Sequence, residues 1–558
     1  MEYIWKNKGK GITLIALVIT IIILLILAGV GISALIQTGL MEKTNEAKEK
    51  HIKSEMKEQL IIAISQLQTE KKGNANINDV TQDYMQKVLN EYNIEVTDST
   101  ENTKKVGMSK NNITGNFIIT ENLEIKEISE NIVNIKISSS YEIKKYNQDK
   151  LKLLIKIESE ESKIDSIKYP DGNVLNCGEN KAEFYYDVID GEKYNFIVSS
   201  NGKEETCTIQ TKGMTKKDTI EVNSLEEFLE FRDIVNAGYN FKSKMVSLKK
   251  DLDFGKICYK VDGTAKNDIS WEPIGNDTSQ FSGTFDGEGH TINNFYSNIE
   301  DSMQGLFGYV CDGKIINTTI KGKISNDNST SYGTGAISAK CKDEEFEKCI
   351  NYVEILNNSA KLIGGIVGEI EEGDVKITKC INYADIEGKQ NVGGIIGVKA
   401  QGNIIIEECC NFGNIKVSYI QVGGIIGGTF AGNSYINNCF NTGKIIGTNI
   451  DNLGRIGGII GTAYSWNGSE NITISNCYNI GDISKEGEYG GILGLLYCNT
   501  SNFSNCYFEN SCDNGSNTGI QSIDSTTLKL YASILGEAYT NDSNSINNGY
   551  PILKWMVE

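Results

Sequence analysis

Six cysteines recur at one position of a repeating unit, and their thiols have the greatest capacity for chemistry in this sequence. They are Cys349, Cys380, Cys409, Cys439, Cys477 and Cys506. Thiols can bind soft metals or form disulfides, but the sequence has no C-x-x-C pair, and free cysteine is a common small residue of protein cores. We therefore predict a buried apolar ladder of thiols, with metal binding or disulfide bonding as the alternatives.

An asparagine lies two residues after each of the first five of these cysteines. The five are Asn351, Asn382, Asn411, Asn441 and Asn479. Identical amides on stacked strands hydrogen-bond along the stacking axis. The pattern predicts a structural asparagine ladder rather than a binding site.

Other side chains that could support catalysis are sparse. His51 and His290 are the only histidines, and no H-E-x-x-H motif occurs, so we expect no zinc site, no other metal site and no cofactor. A polysaccharide lyase needs clustered acids for Ca²⁺ and a nearby Lys or Arg, but Arg455 is the only arginine of the repeats. The formal net charge of -19 argues against a nucleic-acid partner. We predict a protein that is not an enzyme, with a lyase as an alternative.

These residues must be positioned by a repeated element. Glycine-rich marks (GLFG, GAIS, GGIVG, GGIIG three times, GGILG) begin at residues 305, 335, 364, 393, 423, 457 and 490, and the cysteine marks keep the same phase. Ile and Val favour strands, glycine suits corners, and one repeat alone could not bury its apolar face. A spacing of 29 to 34 residues therefore predicts a mainly β chain whose coils stack into a parallel β-helix.

The repeats resemble the GLUG motif family of bacterial surface proteins, adhesins and non-catalytic parts of IgA-peptidase-like proteins. The resemblance covers residues from about 219 to 558. It implies a right-handed parallel β-helix over 214–558, with a capping helix from Ser224 and a closing segment, NNGYPILKW, at 547–555. It is specific for architecture and weak for activity.

The beginning of the chain has the pattern of a membrane anchor. Residues 12–36 carry no charge and would span about 38 Å as a helix, enough to cross a bilayer. Lys6, Lys8 and Lys10 precede this run, so the positive-inside rule places the N-terminus in the cytoplasm and the rest of the chain outside. We expect one N-terminal membrane span, with an uncleaved anchor or a secretory signal as alternatives.

Gly11 followed by ITLIAL resembles the type IV prepilin leader. The resemblance implies a leader at 1–11, cut by prepilin peptidase between Gly11 and Ile12 before methylation of Ile12. Ala16 stands where the family usually has Glu, which makes assembly into a pilus doubtful. Pilins extend the membrane helix outward, and apolar residues at helical spacing predict a transmembrane and stalk helix over 12–73.

Two smaller regions are predicted between the stalk and the repeats. A short helix and the alternating strands that begin near Val133 and Lys152 predict a small pilin-like α+β region at 74–140. Turns at 169–172, 190–191 and 201–202 predict a β-sandwich at 141–213, which resembles the Ig-like spacer modules of Gram-positive surface proteins. Cys177 and Cys207 are interpreted either as a disulfide or as two separate buried thiols.

Together these features predict a cell-surface, membrane- or pilus-associated protein that is structural or adhesive and displays a β-helical rod for binding a glycan or a protein. The alternatives are a minor pilin or pseudopilin and the lyase. Candidate contacts on the rod are the aromatic residues Tyr332, Tyr419, Tyr435, Tyr464, Trp466 and Tyr489, although they also suit ordinary corners.

Overall fold

The computed structural model describes residues 40–100, 103–127, 136–160, 162–258, 270–299, 303–325, 333–356, 359–448, 455–465, 470–484, 488–498, 500–509, 519–530 and 532–558. The predicted processing site at Gly11 and Ile12 and the apolar run at 12–36 lie outside these residues, so both stay predictions. Among the helices that are described, none is both long enough and apolar enough to cross a membrane. The chain divides into two compact units, residues 1–134 and residues 135–558.

Helices are few, and strands dominate both units. The described α-helices are Leu40–Glu70, Gln82–Val88, Leu225–Asn236, Gly255–Cys258 and Ser525–Leu530. Short 3₁₀ turns occur at Ile77–Asp79, Met214–Lys216, Ala532–Leu535 and Lys554–Met556. The prediction of a mainly β chain is therefore confirmed.

The first unit consists of a long helix and an antiparallel sheet. The sheet strands, in spatial order, are Asn93–Thr100, Thr103–Lys110, Ile113–Thr120 and Ile125–Glu127. The apolar positions of helix Leu40–Glu70, among them Met56 and Leu60, are buried in one core with Phe117 of the sheet. The helix ends at Glu70, and Lys72 and Gly73 then adopt positive φ angles of 54° and 82°. A pilin-like origin of this unit remains a prediction.

The second unit begins with two antiparallel sheets. One contains Ile137–Asn147, Lys150–Ser159 and Lys181–Val188; the other contains Lys203–Gln210, Lys193–Ser200, Ser166–Lys168 and Val174–Asn176. The hairpin at 137–159 pairs with 181–188, so its first strand does not belong to the α+β region predicted to run to residue 140. Alternation identified the strands but could not identify their partners. Cys177 and Cys207 are both free thiols, and the Ig-like assignment stays a prediction.

Three parallel sheets form the solenoid that follows. The ten-stranded sheet contains Thr219–Val222, Met245–Leu248, Thr284–Asp286, Lys314–Ile316, Glu345–Glu347, Asp374–Thr378, Asn403–Glu407, Asn433–Asn437, Asn471–Ser475 and Thr500–Ser504. The seven-stranded sheet contains Phe307–Cys311, Ser338–Lys342, Val367–Glu372, Ile396–Lys399, Ile426–Thr429, Ile460–Tyr464 and Leu493–Tyr497.

The third sheet has seventeen short strands and carries the cysteine and asparagine marks. Its strands are Leu252–Asp253, Thr291–Ser297, Thr319–Ser325, Gly333–Gly335, Ile350–Leu356, Leu362–Gly364, Ile381–Asn382, Ile386–Gly393, Cys410–Asn411, Ile415–Gly423, Phe440–Asn441, Ile445–Gly447, Arg455–Gly457, Tyr478–Asn479, Glu488–Gly490, Cys506–Glu509 and Ile520–Ile523. The predicted parallel β-helix is confirmed; its handedness stays a prediction.

One corner of the coil is turned by a residue of positive φ immediately before each ladder cysteine. These residues are Lys348, Lys379, Glu408, Asn438, Asn476 and Asn505, with φ between 51° and 54°. A left-handed residue bends the chain sharply, and asparagine tolerates that conformation better than most residues. The corner therefore fixes where each cysteine and its neighbouring asparagine enter the third sheet.

Two segments of the same unit pack on the coils. Helix Leu225–Asn236 begins at Ser224, whose hydroxyl accepts a hydrogen bond from the amide of Glu227 at 3.1 Å, and it buries Phe228 and Phe231 in the solenoid core. Residues 525–558 include the paired strands Tyr539–Thr540 and Ile552–Leu553 and pack on outward side chains of the third sheet, including Phe440 and Tyr478.

Candidate binding face on the solenoid

The six cysteines lie in one buried column on the inner side of the coils. All six are inaccessible to solvent and none is disulfide-bonded. The Cys409 thiol accepts a hydrogen bond from the Cys380 amide at 3.4 Å, and burial raises the pKa of both thiols well above its usual value. A thiol that keeps its proton is a poor nucleophile and a poor metal ligand. Within the residues described, no group of three or more His, Cys, Asp or Glu side chains could hold a metal ion.

The five predicted asparagines form a second column, and their amides are bonded to one another along the coil axis. Each of the first four donates from Nδ2 to Oδ1 of the next, at 2.6 to 2.7 Å. The same amide nitrogens also donate to the carbonyl two residues ahead, as from Asn411 to Gly413 at 2.8 Å. Since these amides are buried and bonded on both sides, this inner ladder holds coils together and offers nothing to a ligand.

The two repeated sequence marks meet at this inner ladder. A methyl group added to Gly394, the second glycine of a GGIIG mark, would overlap both the Asn411 side chain and the carbonyl oxygen of Gly424. Gly424 stands in the same relation to Asn441 in the next coil. The marks keep one phase because the missing side chain of each glycine leaves room for an asparagine amide.

A buried ion pair, which sequence reasoning missed, lies inside the solenoid. Lys399 Nζ is 2.8 Å from Glu470 Oε2, and both side chains are 0% exposed. Lys399 also donates to the carbonyl of Ala431 at 2.7 Å, and Ser434 Oγ donates to the other oxygen of Glu470 at 2.8 Å. Burial lowers the pKa of Lys399, although the Glu470 charge opposes this. The pair is sealed from solvent, so we interpret it as structural.

A cluster on the outer side of the seven-stranded sheet is the best place to look for the chemistry of a lyase. Lys340 Nζ is 2.8 Å from Glu371 Oε1 and 4.9 Å from the centre of the Tyr309 ring. Partial burial acts to lower the pKa of Lys340, but the hydrogen bond to Glu371 and the negative charges of Glu371, Glu369 and Asp277 together outweigh it, and the pKa is raised. A lysine held protonated cannot accept a proton from a sugar carbon. Lys340 is therefore poorly suited to act as the base of an elimination.

The outer side of the ten-stranded sheet carries a second asparagine column, which we call the outer ladder. Asn403 donates from Nδ2 to Asp374 Oδ1, Asn433 to Asn403, and Asn471 to Asn433, each at 2.8 Å. The hydroxyl of Thr500 donates to Asn471 and extends the column by one coil. These side chains are exposed or half-buried, so this ladder borders a surface that a ligand can reach.

The last three strands of this sheet form a surface that we call the neutral field. Its outward residues are Asn433, Tyr435 and Asn437, then Asn471, Thr473 and Ser475, then Thr500, Asn502 and Ser504. None of these side chains carries a charge. The preceding strands of the same sheet present Lys314, Glu345, Glu347, Asp374, Lys376 and Glu407. The sheet therefore changes from a charged to an uncharged face along the solenoid.

Tyr435 is the aromatic residue of the neutral field and is 48% exposed. A depression of about 350 Å³ lies beside it, lined by Asn403, Ile405 and Asn433 and, on the charged part of the sheet, by Asp374 and Lys376. The Tyr435 hydroxyl, the Thr473 hydroxyl and the side-chain amide of Asn502 make no hydrogen bond to any other residue that the structure describes. The central column of the field thus combines an apolar ring with unengaged polar groups.

The other candidate aromatics are less favourably placed. Tyr419 is exposed, Tyr464 and Tyr489 are half-buried, and Tyr332 and Trp466 lie outside the described residues. Tyr352, Tyr383 and Phe412, which were not among the candidates, stack on one another with ring centres 4.8 and 4.9 Å apart. The stacking covers ring faces in this column, whereas Tyr435 stands among small polar side chains.

Comparison with known proteins adds little to this geometry. No protein-family model matches the sequence, and no curated protein matches it significantly. Among solved structures, one described as "IgA1 Protease" is similar with a TM-score of 0.36 and 12% identity, covering 80% of this chain and 31% of that chain. The chain thus spans about a third of that protein's length, and the likeness is too low to carry an argument about fold or activity. The structure is a parallel β-solenoid with one uncharged outer face, on which the central polar side chains make no hydrogen bond to other described residues.

Proposed function

We propose that the protein is a non-enzymatic structural and adhesive protein of the cell surface, which displays its solenoid as a rod for binding a glycan or another protein. The observation that carries the proposal is the change from a charged to a neutral outer face within one continuous sheet. A rod that only separated two regions would have no need for such a difference. The depleted charge and the exposed Tyr435 have the composition of a recognition surface.

Anchoring is proposed from the sequence alone. The apolar run at 12–36 and the lysines before it suit one membrane span with a cytoplasmic N-terminus and an extracellular remainder. Gly11 and Ile12 suit cleavage by prepilin peptidase. The GLUG-like repeats add the expectation of surface display.

The experiment that tests this proposal combines localisation with adhesion. Protease treatment of intact cells should remove the solenoid, and mass spectrometry of the native N-terminus should find either N-methylated Ile12 or intact Met1. A start near Ala34 would instead indicate secretion and release. Cells that display the chain should attach to a surface to which cells lacking it do not attach. Protease resistance on intact cells, or equal attachment by both strains, would contradict the proposal.

A minor pilin is the second candidate, and the first unit favours it. A long helix that packs its apolar side on an antiparallel sheet, as Leu40–Glu70 packs on the sheet at 93–127, is the arrangement expected of a pilin head. If this candidate is correct, the chain should co-purify with sheared filaments. Replacement of Ala16 by Glu should increase its incorporation, and a chain absent from the sheared fraction would exclude it.

A further inference from the structure

We infer that the neutral field binds an uncharged linear polysaccharide that lies along the solenoid axis, with Tyr435 as its stacking residue. The inference rests on the proposed adhesive function and specifies its ligand. It is argued from the charge of the field, from its unengaged polar groups and from the spacing of its columns.

Charge selects against ionic ligands. The chain has a formal net charge of -19, so a polyanionic glycan would be repelled over long range. A cationic partner would be attracted most strongly to the carboxylates of the earlier strands, such as Glu345 and Asp374, and not to the field itself. An uncharged ligand that binds the field does not have to desolvate ionised side chains, whereas elsewhere on the sheet it would have to desolvate Lys and Glu.

The polar groups of the field match those of a sugar. The Tyr435 and Thr473 hydroxyls and the Asn502 amide can each donate and accept a hydrogen bond, as sugar hydroxyls do. These three residues form the central column, because Tyr435 pairs in register with Thr473 and Thr473 with Asn502. On one side of them Asn433 and Asn471 are held by the outer ladder. On the other side the Ser475 hydroxyl donates to Asn437 Oδ1 at 2.9 Å. The flanks are therefore fixed while the centre keeps its hydrogen-bonding capacity.

The spacing of the columns gives the ligand its direction. Neighbouring strands are about 4.8 Å apart along the axis, close to the length of one sugar ring in an extended chain. Positions in register recur at this interval along the axis, so successive sugars of one chain would each meet one residue of the central column, first Tyr435, then Thr473, then Asn502. Across the strands the chemistry differs from column to column, so a chain lying in that direction would find no repeat.

Tyr435 provides the apolar contact that a sugar ring requires. Its ring lies in the central column beside Ile405, which is 44% exposed, and it borders the depression at Asn403 and Asn433. An amphipathic ring contributes stacking area at small entropic cost, because it has few rotatable bonds. A polysaccharide on the field would place one sugar on Tyr435 and continue over Thr473 and Asn502.

Affinity electrophoresis of the full-length chain in mild detergent tests the inference. The gels would contain hydroxyethylcellulose, galactomannan or mixed-linkage β-glucan as neutral polysaccharides, and polygalacturonate or heparin as acidic ones. Tyr435→Ala removes the ring, and Thr473→Asp places one charge at the centre of the field. Tyr497→Ala is the matched control, since Tyr497 is 63% exposed on the seven-stranded sheet. Thermal unfolding of each variant would show that the fold is intact.

We expect at least one neutral polysaccharide to retard the wild-type chain, with a dissociation constant about tenfold higher for Tyr435→Ala and for Thr473→Asp, a loss of about 1.4 kcal/mol, and unchanged for Tyr497→Ala. Retardation by acidic polysaccharides alone, equal retardation of all variants, or retardation by none of the five would overturn the inference. If Tyr435→Ala instead converts a dimer to a monomer in sedimentation, the field is a self-interface and the inference is also wrong.

Failure of this inference is distinguishable from failure of the proposed function. Adhesion of displaying cells without retardation by any polysaccharide would leave the adhesive function in place with a protein ligand. Retardation of the purified chain together with protease resistance on intact cells would leave the ligand in place and remove the surface role.

Discussion

The inner and outer asparagine ladders use the same residue on the same coils and differ in what surrounds it. Inner amides such as Asn411 are buried, and bonded to the next coil and to a local carbonyl. Outer amides such as Asn433 are bonded between coils at almost the same distance but stand at the surface. The direction also differs, because inner amides donate towards the C-terminus and outer amides towards the N-terminus.

We therefore expect burial, and not the hydrogen bond itself, to decide how much a ladder contributes to stability. A buried amide that loses its partner has no water to replace it, whereas an exposed amide does. Inner polar groups should therefore dominate stability, and outer ones should be free to serve binding. Four measurements would test this contrast.

The largest effect is expected at the buried ion pair. Lys399→Met leaves the Glu470 carboxylate buried without its counter-charge, and should lower the free energy of unfolding by about 3–5 kcal/mol in chemical denaturation. Lys399→Met combined with Glu470→Leu should recover most of that loss. The surface pair of Lys416 and Glu387 is the control, since Lys416→Met should cost less than about 1 kcal/mol. Equal losses for the two single variants would contradict the contrast.

The second largest effect on stability is expected at Asn411, in the centre of the inner ladder. Asn411→Leu removes the acceptor of Asn382 and the donor to both Asn441 and the Gly413 carbonyl, so three buried groups each lose a hydrogen-bond partner. We expect a loss of about 2–4 kcal/mol in the free energy of unfolding. Hydrogen exchange should increase in the coils on both sides of residue 411. A loss no greater than that of an outer-ladder variant would show that burial is not the deciding factor.

The stability of the fold should also depend on pH, because one of its buried polar groups is the carboxylic acid of Glu344. Burial raises the pKa of Glu344 well above its usual value, and Asp312 and Glu345 add to the effect. The folded chain then holds a proton that the unfolded chain releases above about pH 4.5, so this contribution to stability is full below that pH and declines as pH rises towards the folded-state pKa. Glu344→Gln should flatten the decline, measured by unfolding at pH 4 and at pH 8. The same slope in both proteins would show that Glu344 is ionised in the fold.

The smallest effect is expected on the outer ladder. In Asn433→Ala, the polar groups that were bonded to Asn433 can form hydrogen bonds with water instead. The free energy of unfolding should therefore change by less than about 0.5 kcal/mol in chemical denaturation. Asn441→Ala in the inner ladder of the same coil is the matched comparison and should cost several times more. If the two variants lose equal stability, the outer ladder also holds the coils together.

The solenoid and its marks were predictable from sequence because each coil has to satisfy the same local requirements. A glycine beside an asparagine amide recurs in four successive coils, and a left-handed residue precedes each of the six ladder cysteines, so both features return at a nearly fixed interval. The outer ladder gave a weaker signal of the same kind, with Asp374, Asn403 and Asn433 spaced 29 and 30 residues apart. An insertion of about eight residues before Asn471 interrupts that interval, which obscured it.

The features that could not be predicted depend on contacts between residues that do not recur at the repeat interval. Lys399 and Glu470 are 71 residues apart in the sequence, so no local pattern predicts that they meet. The hairpin at 137–159 reads as two strands in sequence, but its partner at 181–188 is set by packing. In both cases the local sequence pattern is compatible with several pairings, and packing in the core determines which one forms.

The segment at 525–558 has a consequence for the order in which the protein can be completed. It covers Phe440 and Tyr478, and its Trp555 donates to the carbonyl of Glu408, several coils back along the chain. These residues are synthesised after every coil that they cover. A chain interrupted before residue 525 would leave the aromatic side chains of Phe440 and Tyr478 uncovered. The outer side of the third sheet can therefore be covered only after the coils beneath the segment have been made.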